Sequence, residues 1–286
     1  MRYSLAITVA ALLLVPNAAF GDDLIKRFEA LSPAIVHIET DEGNGTGVFI
    51  DDRGRIVTAA HVVTNRSFTH RPDGKFSIKI TKKPNIRITT LSGKIVTLDN
   101  EIDISSLAAR ENATYDLALI ETGIKPERFI PIGRPDKAKI GSRLLSIGFP
   151  GSSPEMVLYE GFLSSRHASM HTLGPIVNEE GKAATNEFDV LRLQMPITPG
   201  VSGAPVIDER NGVIAIVIEV PVIVIPDLQT LLKFYSEPSN RGGVLFGSVD
   251  PLKLIAQLAY VVNEFESPGS GLAVPVSYLN EMEHRP

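Results

Sequence analysis

The chain of 286 residues is 43% hydrophobic and 21% charged, long and apolar enough for one large double-layered β domain or two smaller units. Its formal net charge of -5 excludes a nucleic-acid binder, which needs a basic field to neutralise phosphates. It contains no cysteine, so thiol nucleophiles, thiolate metal sites and redox motifs are excluded, and a hydroxyl or a carboxylate must do any chemistry.

Residues 1–21 read differently from the rest. Arg2 gives a positive start, Leu5 to Val15 is an apolar run, and Pro16, Asn17, Ala18, Ala19 and Gly21 precede Asp22 and Asp23. This pattern predicts a secretory signal peptide cleaved after Gly21 or Ala19. The competing reading is an uncleaved anchor, but the run is shorter than the roughly 20 apolar residues of a membrane span, so no stable membrane insertion is expected after cleavage. Residues 22–286 then form the mature protein, exported to the periplasm or secreted.

Leu24, Phe28 and Leu31 share one helical face that ends before Pro33, which predicts a short amphipathic helix. From there to about residue 222 the signal is β. AIVHIET, TGVFI, RIVTAAHVV, FSIKIT, NIRITTL, KIVTL, LALIET, RLLSIGF, VLRLQMP, APVID and GVIAIVIEV are rich in β-branched residues and separated by turns such as DDRG and DERNG. Many short strands suggest barrels or sandwiches. The run from Val213 to Ile225 is broken by Glu219 and Pro221, as in a soluble strand rather than a span. Asp250 and Pro251 then open DPLKLIAQLAYVVNEF, a predicted helix whose apolar face packs on the barrel or, alternatively, meets a partner or a membrane surface.

The stretch TPGVSGAPV places Ser202 between Val201 and Gly203, and alone it is as well explained by a surface turn. A serine hydroxyl is a poor nucleophile unless a general base lies within reach and a third group orients that base. His61 ends RIVTAAHVV, with Ala59 and Ala60 leaving space for an imidazole to turn inward. Asp116 opens the apolar run LALI, where an unpaired carboxylate would be costly and a histidine N–H is a suitable partner. The chain order His61, Asp116, Ser202 is that of the chymotrypsin triad. The amides of Gly200 and Ser202 can face the negative oxygen that develops in acyl transfer.

On these residues the chain resembles a trypsin-like serine protease, and within that family the HtrA-type (high-temperature-requirement) branch. The matching blocks are LIKRFEALSPAIVHIE, GTGVFIDDRGRIVTAAHVV, YDLALIE, TPGVSGAPVID and GSGLAVPVSYL, in the family's order. The resemblance implies an all-β fold of two antiparallel Greek-key β-barrels, about 33–125 and 126–286, with a short N-terminal helix and C-terminal helices. It implies an endopeptidase working through an acyl-enzyme on polypeptide substrates, without a cofactor or a metal. His61 would be general base then acid, Asp116 its orienting carboxylate, Ser202 the nucleophile, and Gly200 an oxyanion-hole donor. Met195, Pro196, Ile197 and Thr198 would line the primary specificity pocket; being uncharged, they favour a small or medium apolar residue before the scissile bond.

Several features depart from the family. Val201 stands where many chymotrypsin-like enzymes carry Asp and HtrA-type enzymes Asn, so insertion of a freed amino terminus cannot order the oxyanion loop. Ala204 replaces a common glycine. Too few residues follow GSGLAVPVSYL for a PDZ domain, and residues 221–268 look like an insertion. Ser164 to Asn186 resembles the mobile loops that adjust the oxyanion region. The resemblance also allows a homo-oligomer. His37 is expected to be a packed strand residue, and His167 and His171, though four apart, have no third metal ligand nearby. A peptide-binding protein without turnover and an esterase using the same triad remain open.

Overall fold

The computed structural model describes residues 18–70, 76–97, 115–151, 154–169, 176–177, 189–219, 255 and 269–280. Helix α1 (Ala18–Leu31) carries Leu24 and Phe28 against the core, and a 3-10 turn over Ser32–Ala34 ends it at the proline.

The N-terminal half is built from β1 (Ile35–Thr40), β2 (Gly43–Phe49), β3 (Arg55–Thr58), β6 (Arg87–Thr90), β7 (Ile95–Thr97) and β8 (Ala118–Glu121), in the spatial order β7-β6-β1-β2-β3-β8. The C-terminal half closes into a barrel, β10-β12-β15-β14-β13-β9, from β9 (Arg143–Gly148), β10 (Val157–Ser169), β12 (Asp189–Gln194), β13 (Pro205–Ile207), β14 (Val213–Glu219) and β15 (Ser270–Pro275). All pairings within these two units are antiparallel. Strands β4 (Thr64–His70) and β5 (Phe76–Lys82) form a hairpin, and β11 (Ile176–Val177) from the other half adds to it in parallel. The fold is mostly β, as the strand-rich sequence predicts.

Two apolar cores explain why the halves hold together. One fills the C-terminal barrel with Leu144, Leu193, Val206 and Val217. The other joins Ile35, Ile38, Val48 and Ile120 of the N-terminal sheet to Leu145 and Ile147 of β9 and Phe149 just after it. Strand β9 therefore buries both faces, which accounts for its near-continuous apolar run. The chain end returns to the first half: Val276 and Leu279 lie in the shared core, and Tyr278 stacks on Tyr115 with centroids 4.0 Å apart. Helix α1 ties back the other way, Arg27 donating to Asn211 Oδ1 at 2.9 Å and to the Asp208 carbonyl at 2.7 Å in the β13–β14 turn.

Two expectations need amendment. RIVTAAHVV is not one strand: β3 ends at Thr58 and a single helical turn, α2 (Ala60–Val63), follows. Strand β10 escapes sequence reading because Gly161 sits on its buried face and Phe162, half exposed, on its solvated one. Ser164 to Ser169, expected as loop, are its last residues, and the pairing with β12 passes through register shifts there. The 221–268 insertion and the helix over 250–265 fall outside the described residues, apart from Ile255, and so do residues 1–17 and His171. Among the described residues no helix is long and apolar enough to cross a membrane.

Candidate active site

The His61–Asp116 side is assembled by the β3–β8 pairing, which sets Thr58 opposite Ala118 and so brings the residue before Leu117 alongside the turn after Thr58. Ala59 continues extended and buried, and α2 presents His61 at its first turn. Asp116 is bound there three times. Its backbone carbonyl accepts from Ala60 N at 3.1 Å, its Oδ1 from His61 N at 2.9 Å, and its Oδ2 lies 2.5 Å from His61 Nδ1. A carboxylate only accepts, so Nδ1 carries the proton and Nε2 is left with its lone pair. The Asp116 side chain is 13% exposed and that of His61 41%. The carboxylate is thus shielded and the imidazole reachable.

The Ser202 side comes from the turn before β13. Gly203 has φ +88, and a Cβ there would stand 1.9 Å from the Thr46 carbonyl and 2.2 Å from Thr58 Oγ1. Only glycine lets this turn press against β2 and β3. The Ser202 carbonyl accepts from Thr46 N at 2.8 Å, and Gly45, next to Thr46, fits between Val62 of α2 and Ser202, where a Cβ would meet Val62 at 2.6 Å. Strand β2 is therefore what sets Ser202 beside the His61 turn. Ser202 Oγ lies 3.4 Å from the Ile218 carbonyl, a long bond, and makes no hydrogen bond to His61 in this structure.

Gly200 has φ +91. Neither its N–H nor that of Ser202 engages a hydrogen-bond acceptor among the described residues, so both are available to an incoming oxygen. The turn is anchored by Val201, fully buried in the barrel core with its N–H on the Thr198 carbonyl at 3.3 Å. Val201 and Ala204 both pack toward Gly148, where a Cβ would meet them at 3.2 and 3.1 Å. Val201 is thus an apolar anchor of this turn at the position where the family pattern has a polar residue.

Of the expected specificity residues, Met195 and Ile197 are buried in the barrel core, while Pro196 and Thr198 are exposed. Ile197 fills the space beside Gly271, where a Cβ would stand 2.5 Å from its Cδ1. Thr198 Oγ1 bonds the Tyr159 hydroxyl at 3.1 Å, and burial pushes the Tyr159 phenol above its ordinary pKa. Sequence reasoning missed Tyr159 and Thr46. Tyr159 lies in the unrecognised β10; Thr46 carried a signal, the glycines that flank it on both sides.

Among the described residues no group of three metal-binding side chains comes together, and His167 lies in β10. His37 is a buried β1 residue, as expected, tilted against Phe149 with centroids 4.8 Å apart.

The family model of the trypsin-like peptidase domain matches residues 45–216. The chain is 26% identical over 179 residues to Protease Do-like 8, chloroplastic, of Arabidopsis thaliana, covering 62% of this chain and 35% of that protein. It is 23% identical over 227 residues to serine protease HTRA1 of Xenopus laevis, covering 74% and 42%. The chain thus spans well under half the length of these relatives. Among solved structures, Rv3671c of M. tuberculosis H37Rv in an inactive form aligns with a TM-score of 0.54 at 15% identity, over 90% of this chain and 87% of that one. The HtrA-type protease AlgW with tripeptide aligns with a TM-score of 0.53 at 18% identity, over 90% and 61%. With its fold shared and HtrA proteases among its sequence relatives, this chain belongs to the trypsin-like peptidase domain family.

Proposed function

We propose that the protein is an exported serine endopeptidase that cleaves unfolded or partly unfolded polypeptides through Ser202, His61 and Asp116. The observation that carries this reading is the base side: a shielded carboxylate clamps Nδ1 at 2.5 Å and the backbone N–H of the same histidine at 2.9 Å. That tautomer is the one a general base needs.

In the reaction, His61 Nε2 takes the proton from Ser202 Oγ as the oxygen attacks the scissile carbonyl. The new C–O bond turns that carbonyl into an oxyanion, to which the Gly200 and Ser202 N–H groups donate, while Asp116 stabilises the imidazolium. The C–N bond breaks as His61 returns the proton to the leaving amine, leaving an acyl-enzyme that water opens by the same steps. Before attack, Ser202 Oγ must exchange the long bond to the Ile218 carbonyl for the imidazole. Buried Met195 and Ile197 favour a small or medium apolar residue at the cleavage position, and the N-terminal apolar run supports export by a cleaved signal peptide.

A fluorophosphonate probe tests the assignment. Wild type labels on Ser202, and Ser202→Ala does not; a wild type that never labels, or labelling that persists in the variant, defeats it. The bond of Ser202 Oγ to Ile218 instead of His61 favours a second reading, a peptide-binding protein without turnover. That reading predicts binding of extended peptides, unchanged in Ser202→Ala, with no fragments in a digested protein mixture.

A further inference from the structure

Strand β2 offers the C-terminal half more than Thr46. Residues two apart on a strand share a face, so Asn44 and Thr46 project together, and β1 sets His37 directly opposite Thr46 and Glu39 opposite Asn44. Both polar side chains of β2 end on the segment after β9. Thr46 Oγ1 accepts from Phe149 N at 3.0 Å. Asn44 Nδ2 donates to the Gly151 carbonyl and also faces His37 Nε2 at 3.4 Å.

The other side of that segment meets the oxyanion turn. Gly151 N donates to the Pro199 carbonyl at 2.8 Å, and the peptide 150–151 lies so close to Gly200 that a Cβ on Gly200 would stand 2.4 Å from Gly151 N. Residues 149–151 are thus a spacer, gripped by the N-terminal sheet on one face and braced against Pro199 and Gly200 on the other.

We propose that Asn44, oriented by His37, is a positioning residue that holds the oxyanion turn in register with the triad across the junction of the two halves. The amide hydrogens of Asn44 divide between the Gly151 carbonyl and the His37 ring. His37 is suited to the second role because burial holds it below its ordinary pKa, against the pull of the Glu39 carboxylate, so the ring is neutral near pH 7 and Nε2 can accept. A peptide group shifted by about 1 Å beside a reacting centre can cost about a hundredfold in rate, which is why one exposed-edge amide matters here.

This inference rests on the protease reading above, and its test separates the two. Asn44→Asp keeps the shape but sets an oxygen against the Gly151 carbonyl, and His37→Phe keeps the ring on Phe149 but removes the acceptor. In full-length protein, Asn44→Asp is expected to lower kcat about ten- to hundredfold with KM within about twofold, and to weaken a peptide aldehyde, whose adduct places an oxygen between the Gly200 and Ser202 amides, by the same factor as kcat/KM. His37→Phe is expected to lose less, in the same direction. In a Ser202→Ala background, which needs no activity, amide hydrogen exchange in Asn44→Asp should rise in peptides covering 147–151 and 195–202 and nowhere else. Unchanged exchange overturns the proposal, as does a rise in exchange with kcat intact, or a loss confined to KM. A wild type that turns over no peptide defeats the protease reading instead, and the tether is then judged on exchange alone.

Discussion

The two sides of the candidate site are held in different ways. His61 and Asp116 are fixed to each other through the Asp116 carboxylate, which is shielded and bonded at both oxygens, while the Asp116 backbone carbonyl holds Ala60 N. Ser202 is fixed only through its backbone, by Thr46 and by the fit of Gly203 against β2 and β3, and its hydroxyl is turned toward Ile218. The His61 side is built by side-chain hydrogen bonds; the Ser202 side is built by packing a turn. Losses on the first side should therefore appear in rate, and losses on the second in folding as well.

The largest effect sharpens that contrast. Asp116→Asn should leave the melting temperature within a few degrees yet lower kcat about ten-thousandfold, since the amide favours the wrong tautomer, and Ser202→Ala should cost about a millionfold. Steady-state kinetics beside thermal melts would check both; an Asp116→Asn enzyme within tenfold of wild type would break the comparison. Gly203→Ala should act through the fold instead, because φ +88 and the Thr46 carbonyl leave no room for a methyl. Urea denaturation should register a loss of at least about 3 kcal/mol.

Val201→Asn restores the residue type common in HtrA-type enzymes but sets a polar amide in a fully apolar core. A loss of about 2 kcal/mol in the same denaturation is expected, and a variant as stable as wild type would show that the turn is not ordered by this burial. The smallest effect concerns His37. Its folded pKa is depressed from 6.5 by burial, so the unfolded chain binds the proton more readily, and stability falls as pH drops below about 6.5 toward the folded value. His37→Phe should flatten that part of the stability profile, read from melts between pH 7 and 5, while the slope due to other groups remains.

Much of this was legible in the sequence because the chemistry demands particular neighbours. Asp116 at the mouth of an apolar run announced a partner, and the glycines around Ser202 announced a turn packed against backbone. Their geometric roles, in contrast, depend on distant residues. That Gly203 is required by Thr46 and Thr58, or that Val201 is a core residue, follows from how β2 and β9 meet, which no local pattern encodes. Strand β10 was hidden because a glycine, Gly161, lies on its buried face and an aromatic, Phe162, on its solvated one, so the residue types do not alternate although the burial does. The Asn44 tether was hidden for a related reason: its partner is a backbone carbonyl, and any residue can supply one.

Arg27 of the first helix bonds Asp208 and Asn211, 181 and 184 positions further along the chain. At about 5–20 residues per second of synthesis, those acceptors emerge some ten to forty seconds after the guanidinium. Until then α1 rests on the core through Leu24 and Phe28, so a helix near the start of the chain gains its tie to the second half only once the β13–β14 turn has been made.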